Sequence, residues 1–234
     1  IIVWEERPGD GVFIMFTITE VYNNIPCREG LTPDWGFSCL VEEAGLLFDT
    51  GAKGDVLLSN MRALGIDPAD IRYLVLSHDH WDHTGGVRAI LGVNPSMEVF
   101  VHDAFTAQTL GMIGEYTKPR IVREWMEIAD GIAVTGPLGT DIREQSLAIT
   151  APGGYLVITG CAHPHIGRIV DRVSQEGRVW GVVGGFHTVT TGDIDALAGV
   201  EYLSASHCTD TIPEIRERYP GTFRPGGVGK VHRV

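Results

Sequence analysis

Three histidines and two aspartates lie within six residues of this chain, in the stretch "HDHWDH". The stretch follows the mostly apolar run "IRYLVL", which is typical of a buried strand, so the polar cluster begins where that strand ends. His78 and His80 alternate and can point to the same side of an extended turn, whereas Asp82 and His83 follow in a tighter turn. Imidazole and carboxylate groups in this arrangement indicate metal binding.

This short loop offers more ligands than one zinc ion easily accepts from a single segment. We therefore predict two metal ions, with His78 and His80 on one and Asp82 and His83 on the other. The alternative, a solvated polar loop, suits a lone histidine better than a cluster that follows a buried strand. Asp79 lies outside the alternation and is expected to shape the turn or to orient a ligand.

Two further clusters follow predicted strands later in the chain. "VITGCAHPH" contains Cys161, His163 and His165, and "SASHCTD" contains His207 and Asp210. Because all three clusters occupy strand ends, they could meet at one edge of the fold.

Other histidines are weaker candidates. His187, in "VVGGFHT", is either a substrate contact or a hydrogen-bonded loop residue, and His102 ranks lower because it is one neutral group near a strand end. His232 and Lys230 lie in "GGVGKVH", where glycines could let the backbone approach an anion; an ordinary glycine-rich loop is the alternative.

The elements that must position these residues can be read from the spacing of apolar residues. Strands or hairpins are predicted at 12–22, 36–43, 45–51, 71–77, 97–102, 146–160, 178–185 and 200–206. Helices are predicted at 54–66, 166–174, 193–198 and 212–219. Residues 103–130 mix a helix with loop. Strands that alternate with helices and hairpins suggest two sheets with helices outside.

Composition narrows the classes of function. The 234 residues have a formal net charge of −12, which argues against nonspecific nucleic-acid binding but not against a small anionic substrate. No signal peptide and no membrane-length apolar run is seen, so we expect no membrane partner and a cytoplasmic location. The four cysteines have no CxxC spacing, which fits free thiols in a reducing compartment.

The motifs resemble those of a known superfamily. "HDHWDH" is similar to the His-x-His-x-Asp-His signature of the metallo-β-lactamase superfamily, and "FDTG" at 48–51 looks like its earlier motif. The resemblance implies one domain over 1–234 with an α+β, αββα sandwich fold: two mixed sheets flanked by helices, and a dinuclear metal site at one edge. It also implies that His163 completes the first metal's three histidines and that His207 binds the second metal.

The expected bridging ligand is where this chain departs from the family pattern. Many members have an aspartate near the position of Gly160 and Cys161, and no aspartate stands here. Cys161 either ligates the second metal or is a small buried residue, and we favour His163 over Cys161 as a ligand. Zinc is the default metal, with Mn²⁺ and Fe²⁺ as alternatives. The superfamily's diiron redox members typically have Glu where His80 stands.

A narrower resemblance spans the chain. "HWDHTGG", "TGCAHP", "GGFH", "SHCTD", "VYNN" and "WGFSCLVEE" look like the 7,8-dihydropterin-6-methyl-4-(β-D-ribofuranosyl)aminobenzene 5′-phosphate synthase-like branch. That branch's named activity joins a pterin methyl diphosphate to an aminobenzene ribose phosphate. Trp35 or Trp81 could stack on a pterin, although buried aromatic residues more often belong to the core.

We therefore expect a metal-dependent hydrolase that acts on a phosphorylated or ester-like small molecule through a metal-activated hydroxide. Asp82 would be both ligand and catalytic residue, and His187 would contact substrate. Asp49 and Asp210 are candidates for orienting a ligating histidine, with turn or cap residues as the equal alternative. Two other functions stay open: a synthase-type transferase that displaces diphosphate, and a non-catalytic metal-binding sensor or scaffold.

Overall fold

The computed structural model describes residues 15–234. Its strands are β1 (Thr17–Asn23), β2 (Phe37–Val41), β3 (Leu46–Phe48), β4 (Tyr73–Val75), β5 (Glu98–His102), β6 (Arg120–Val122), β7 (Met126–Ala129), β8 (Ile132–Val134), β9 (Leu147–Ala151), β10 (Gly154–Thr159), β11 (Val179–Gly185), β12 (Tyr202–Ser206) and β13 (Val231–Arg233). Its helices are α1 (Gly54–Leu64), α2 (Trp81–Thr84), α3 (Val87–Val93), α4 (Ala107–Gly114), α5 (Ile166–Ser174), α6 (Thr191–Ala196) and α7 (Ile212–Arg218).

These strands form two mixed sheets, as the sequence predicted. One sheet has the order β13-β1-β2-β3-β4-β5-β6, and the other has the order β12-β11-β10-β9-β8-β7. One apolar cluster lies between the sheets, and two more lie under the helices on the outer faces. The result is a helix–sheet–sheet–helix sandwich. None of the helices in the described part of the chain combines the length and apolarity needed to cross a bilayer.

β2 shows why these segments form a sandwich with both sheet faces covered. All five of its residues are buried, with Phe37, Cys39 and Val41 in the cluster between the sheets and Leu40 in the cluster under the helices. Successive side chains of a strand point to opposite faces, so a continuously apolar strand needs cover on both sides.

The predicted helices and hairpins are present, with small changes in the residues where they begin and end. α1 ends at Gly65, whose φ of 75° is the left-handed conformation that favours glycine after a helix. β9 and β10 pair antiparallel across the Pro152–Gly154 turn. Positions 12–14 of the first predicted strand lie outside the described residues. Within 103–130 the structure has α4, β6 and β7, which the sequence did not resolve.

In the glycine-rich tail, His232 has protein partners on both of its ring nitrogens. His232 is buried on β13, where its Nε2 lies 3.0 Å from a carboxylate oxygen of Glu20 and its Nδ1 lies 2.8 Å from the Tyr202 hydroxyl. His232 is therefore part of a side-chain network and is not free to contact an anion. This buried network instead joins β13 and β1 to β12, across the open side of the sandwich.

Strand direction explains why the predicted clusters can meet. β3 and β4 run parallel, and so do β10, β11 and β12. Parallel strands end at a common edge, and polar residues that follow them collect there.

Asn60 holds the chain that approaches this edge. Its side chain is buried on α1, and its Nδ2 donates to the carbonyls of Val21 and Thr32, each at 3.0 Å. The Thr32 N–H donates back to Asn60 Oδ1 at 2.9 Å. The amide thus joins α1, β1 and the loop that leads to Trp35.

Replacing Asn60 with alanine removes these three hydrogen bonds and leaves the carbonyl of the buried Val21 without this partner. We expect the free energy of unfolding to fall by about 1–3 kcal/mol, measured by urea denaturation. Ser59→Ala, an exposed neighbour on the same helix, should change it by less than about 0.5 kcal/mol. Equal effects of the two substitutions would contradict the assigned role of Asn60.

Candidate metal centre

The chemistry-bearing residues lie at the shared edge of the two sheets. Asp49 follows β3, and the stretch from His78 to His83 runs from the end of β4 into α2. Cys161 and His163 follow β10, and His207 follows β12.

Three histidines form one half of the cluster. His78 Nε2 lies 3.1 Å from His80 Nδ1. The ring of His163 lies 4.8 Å from that of His78 and 4.9 Å from that of His80, centre to centre. The three rings are therefore neighbours, but in the described part of the chain the donor group on this side consists of His78, Cys161 and His163, and His80 lies beside it.

Asp82, His83 and His207 form the other half. An Asp82 carboxylate oxygen lies 3.7 Å from His83 Nε2 and 3.4 Å from His207 Nε2. Burial would raise the pKa of Asp82, but the neighbouring imidazoles of His207 and His83 outweigh it and hold this pKa below its usual range. The group is therefore a carboxylate, a hard anionic ligand, at neutral pH.

Asp49 orients the histidines instead of joining the donor cluster. Its Oδ1 accepts from the backbone N–H of Ser77, and its Oδ2 accepts from the Ser77 hydroxyl and from His83 Nδ1, each at 2.7 Å. Burial opposes the charged form of His83, but this carboxylate outweighs it and raises the pKa of His83 to about 9. Of the two readings that the sequence left open for Asp49, the contacts match the orienting role.

His207 is held by an amide. Its Nδ1 donates to Asn24 Oδ1 at 2.8 Å, and Asn24 Nδ2 donates to the His207 carbonyl at 3.2 Å. Asn23, one residue earlier, donates to Ser206 Oγ at 3.0 Å. The "VYNN" segment therefore fixes the ring orientation of His207 and directs Nε2 toward Asp82. Asp210, the sequence candidate for this orienting role, is exposed instead.

The unused nitrogens test whether the cluster suits a metal. The Nε2 atoms of His163 and His207 are both buried, and among the residues that the structure describes neither has a hydrogen-bond partner. Burial is the main cause that lowers the pKa of His163, to about 3, and of His207, so both rings are neutral with a lone pair available. Buried imidazole lone pairs facing other donors suit a borderline-soft divalent ion.

The loop after β10 is shaped by a residue that the sequence analysis missed. Glu144 is fully buried, and its carboxylate accepts the backbone N–H groups of four consecutive residues, at 2.9–3.0 Å: Gly160, Cys161, Ala162 and His163. Burial raises the pKa of Glu144, and these donors oppose that rise. An acidic residue ahead of a strand is ordinarily solvated, so the sequence contained no signal for this role.

Backbone strain gathers at the same edge. Asp49, Ala162, His187 and His207 have φ between 44° and 57°, the left-handed region that non-glycine residues seldom occupy. Gly160 is required for close approach, because a Cβ there would lie 2.2 Å from Ser77 Oγ. Strain of this kind persists where surrounding contacts hold it, which is common at functional sites.

Of the remaining candidate residues, His187 lies beside the donor cluster and the others have partners elsewhere. The exposed His187 has its ring 4.6 Å from that of His163, so it lies beside the cluster. His165 pairs with Asp193 at 3.1 Å, and Asp79 binds the start of α4 by accepting from the Thr106 N–H and the Thr109 hydroxyl. The buried His102 packs edge-on against Phe105.

Two exposed tryptophans belong to this region. Trp35 donates from Nε1 to Asp82 Oδ2 at 3.0 Å, and its ring centre lies 5.4 Å from that of His207. About half of Trp35 remains exposed, and Trp81 is exposed at the start of α2. Trp35 is therefore fixed at one edge by Asp82 and open on its surface.

The fold and this cluster match one superfamily. A family model of the metallo-β-lactamase superfamily matches residues 36–199, more than half of the chain, and the chain belongs to that superfamily. The match includes the segments of the cluster from Asp49 to His163.

Individual relatives agree with that assignment. A Methanocaldococcus jannaschii protein named 7,8-dihydropterin-6-methyl-4-(β-D-ribofuranosyl)-aminobenzene-5′-phosphate synthase is 26% identical, over 86% of this chain and 91% of its own. A crystal structure described as a metal-dependent hydrolase of the β-lactamase superfamily is 27% identical with a TM-score of 0.79, covering 94% of this chain and 99% of that one. YhfI of Bacillus subtilis, 14% identical with a TM-score of 0.68, shares the fold over 94% of this chain and all of its own.

The raised pKa of His83 predicts how stability varies with pH once metal is removed by a chelator. The folded pKa of about 9 exceeds the ordinary 6.5. The Asp49–His83 pair therefore contributes fully below pH 6.5, and its contribution is lost as the pH rises through 9. Urea denaturation should show the free energy of unfolding falling between pH 6.5 and 9. The slope should be at most about 1.4 kcal/mol per pH unit, the value for one proton.

Asp49→Asn should flatten this dependence between pH 6.5 and 9, because it removes the carboxylate that holds the proton. Asp103→Asn, at an exposed ion pair with Arg143, should keep the wild-type slope. A wild-type slope in Asp49→Asn would show that another group governs this pH range.

Glu144→Gln tests the loop contacts. A glutamine has one acceptor oxygen, and its amide hydrogens would face N–H donors of the loop. We expect backbone amides 160–163 to exchange hydrogen faster. We also expect the free energy of unfolding to fall by about 1–3 kcal/mol for each donor left unpaired. Glu127→Gln, exposed on β7, is the matched control. Unchanged exchange at 160–163 in Glu144→Gln would refute the role.

Proposed function

We propose that this chain is a hydrolase that binds two divalent metal ions, zinc foremost, and cleaves a phosphorylated or ester-like small molecule. One observation supports the proposal above the others: buried donors that follow strands of both sheets face one another, and two of their nitrogens lack partners. The proposed ligands are His78, His80 and His163 for the first metal and Asp82, His83 and His207 for the second.

The bound ions would lower the pKa of a water molecule and polarise the bond to be cleaved. The protein's own residues would hold the geometry. Asp49 and Asn24 keep the ring planes of His83 and His207 fixed, so the lone pairs are directed before a metal arrives. Asp82 also accepts a hydrogen bond from Trp35. It would accept a hydrogen bond from the attacking water and so orient that water.

The substrate would be small and anionic. The formal net charge of −12 works against anion binding in general, but two divalent ions would reverse the sign of the field within this site. His187 lies beside His163 and is exposed, so its imidazole could donate to a substrate oxygen. The exposed face of Trp35 would adjoin the substrate on the other side, near His207.

A second candidate is a transferase in which diphosphate leaves and an amine or carbon nucleophile replaces water. The synthase from Methanocaldococcus jannaschii favours it, since that relative is similar over most of both chains. The open ring of Trp35 suits stacking on a flat heterocycle, which this reaction class would require. The same ligands would serve both reactions, and the products separate them.

The test combines metal analysis with an activity screen. Purified protein should retain close to two equivalents of metal and turn over at least one of a set of phosphomonoester, phosphodiester, thioester and lactone substrates. Release of diphosphate only when an aromatic amine is added would instead support the transferase.

His78→Ala should lower the retained metal and reduce kcat/KM by at least about 100-fold, the usual cost of disturbing a metal site. His165→Asn is the matched control, because that histidine pairs with Asp193 outside the donor cluster. Metal retained without turnover of any substrate would favour a sensor or scaffold. Unchanged metal content and turnover in His78→Ala would overturn the assigned site.

A further inference from the structure

We propose that Cys161 supplies a sulfur ligand shared by both metal positions, in the place where the family pattern has an aspartate. The proposal rests on the proposed function, because it concerns the same pair of ions. It goes further by naming the group that joins the two halves of the site and the class of metal that such a group selects.

The position of the sulfur carries the argument. The described residues contain two groups whose donor atoms lie within 4.8 Å of one another inside each group, and Cys161 is common to both groups. One group contains Asp82, His83, Cys161 and His207; the other contains His78, Cys161 and His163. The Cys161 Sγ lies 3.1 Å from His83 Nε2. A side chain between two sets of ligands is placed to bridge.

A second observation points to a ligand at this location. The Nε2 atoms of His163 and His207, one from each half, are buried and lack hydrogen-bond partners among the described residues. An unpaired buried polar atom is costly, and two around one sulfur indicate that something other than protein satisfies them.

The backbone explains why the sulfur lies there. Glu144 accepts the Cys161 N–H at 2.9 Å and holds the N–H groups on both sides of it. Ala162 then takes a left-handed φ of 57°, which turns the chain toward His163. A buried cysteine that served only to fill space would not need a carboxylate to fix its backbone.

Charge and softness fit a thiolate. Once metal binding has displaced the His83 proton to solvent, the proposed histidine ligands are neutral and Asp82 adds one negative charge, so two divalent ions would leave an excess of three positive charges. A Cys161 thiolate lowers that excess to two; the thiol's proton passes to solvent as metal binds, and no electron is transferred. Thiolate ligands favour zinc and its analogue cobalt over manganese, so the site should select the softer ions.

Cys208 provides a matched control. Its Sγ lies 3.3 Å from Cys161 Sγ, yet it belongs to neither group of donors. It therefore shares the location of Cys161 without the proposed function. A reductant during purification keeps this pair of thiols from joining as a disulfide.

The experiment is cobalt substitution, with Co²⁺ as the probe and near-ultraviolet absorption as the readout. Wild-type protein and Cys208→Ser should show sulfur-to-cobalt charge-transfer absorption, and Cys161→Ser should lose it. Cys161→Asp should keep two equivalents of cobalt without the band, because a carboxylate can also bridge. Competition should show that wild type prefers Co²⁺ to Mn²⁺ and that Cys161→Asp narrows this preference.

Loaded wild type without the band, or a band that persists in Cys161→Ser, would overturn the inference while leaving the proposed function intact. If Cys161→Ser is unfolded by circular dichroism, Cys161→Asp supplies the same comparison, and a band in that variant would be equally damaging. Wild type that retains no metal and turns over no substrate would remove both proposals.

Discussion

The site depends on how the two sheets are connected at their shared edge, and one short segment makes hydrogen bonds to both sides of that edge. Gln145 donates from its backbone N–H to the Ser77 carbonyl at 3.0 Å and from Nε2 to the Leu76 carbonyl at 2.8 Å. Glu144, one residue earlier, holds the loop after β10. The segment therefore ties the chain that precedes His78 to the loop that bears Cys161 and His163. Each half of the donor cluster combines residues that follow strands of both sheets, so both halves depend on this connection.

Burying a polar cluster costs free energy, and the residues around this cluster show how that cost is offset. Buried polar groups need partners, and a buried charge needs them most. Asp49 meets this need with Ser77 and His83, and Asn24 does so for His207. Each contact also selects which ring nitrogen faces the cluster. The contacts that stabilise the fold at this edge are thus the same ones that prepare the ligands.

Membership of the superfamily defines the fold and the class of site, but the reaction depends on what surrounds the ligands. The exposed rings of Trp35 and His187 lie on opposite halves of the cluster, next to His207 and His163 respectively. A relative named as a synthase and another described as a hydrolase are similar to this chain over most of its length.

The sequence by itself determined the fold class, the strand ends and the six histidine and aspartate candidates, because apolar periodicity and ligand spacing are local properties of the chain. The structure places five of those six in its two donor groups, with His80 beside His78. It alone decided that Asp49 rather than Asp210 orients a histidine of the cluster and that His232 pairs with Glu20. It also showed the role of Glu144 and the central position of Cys161. These depend on contacts between residues far apart in sequence, which the local spacing of residue types does not encode.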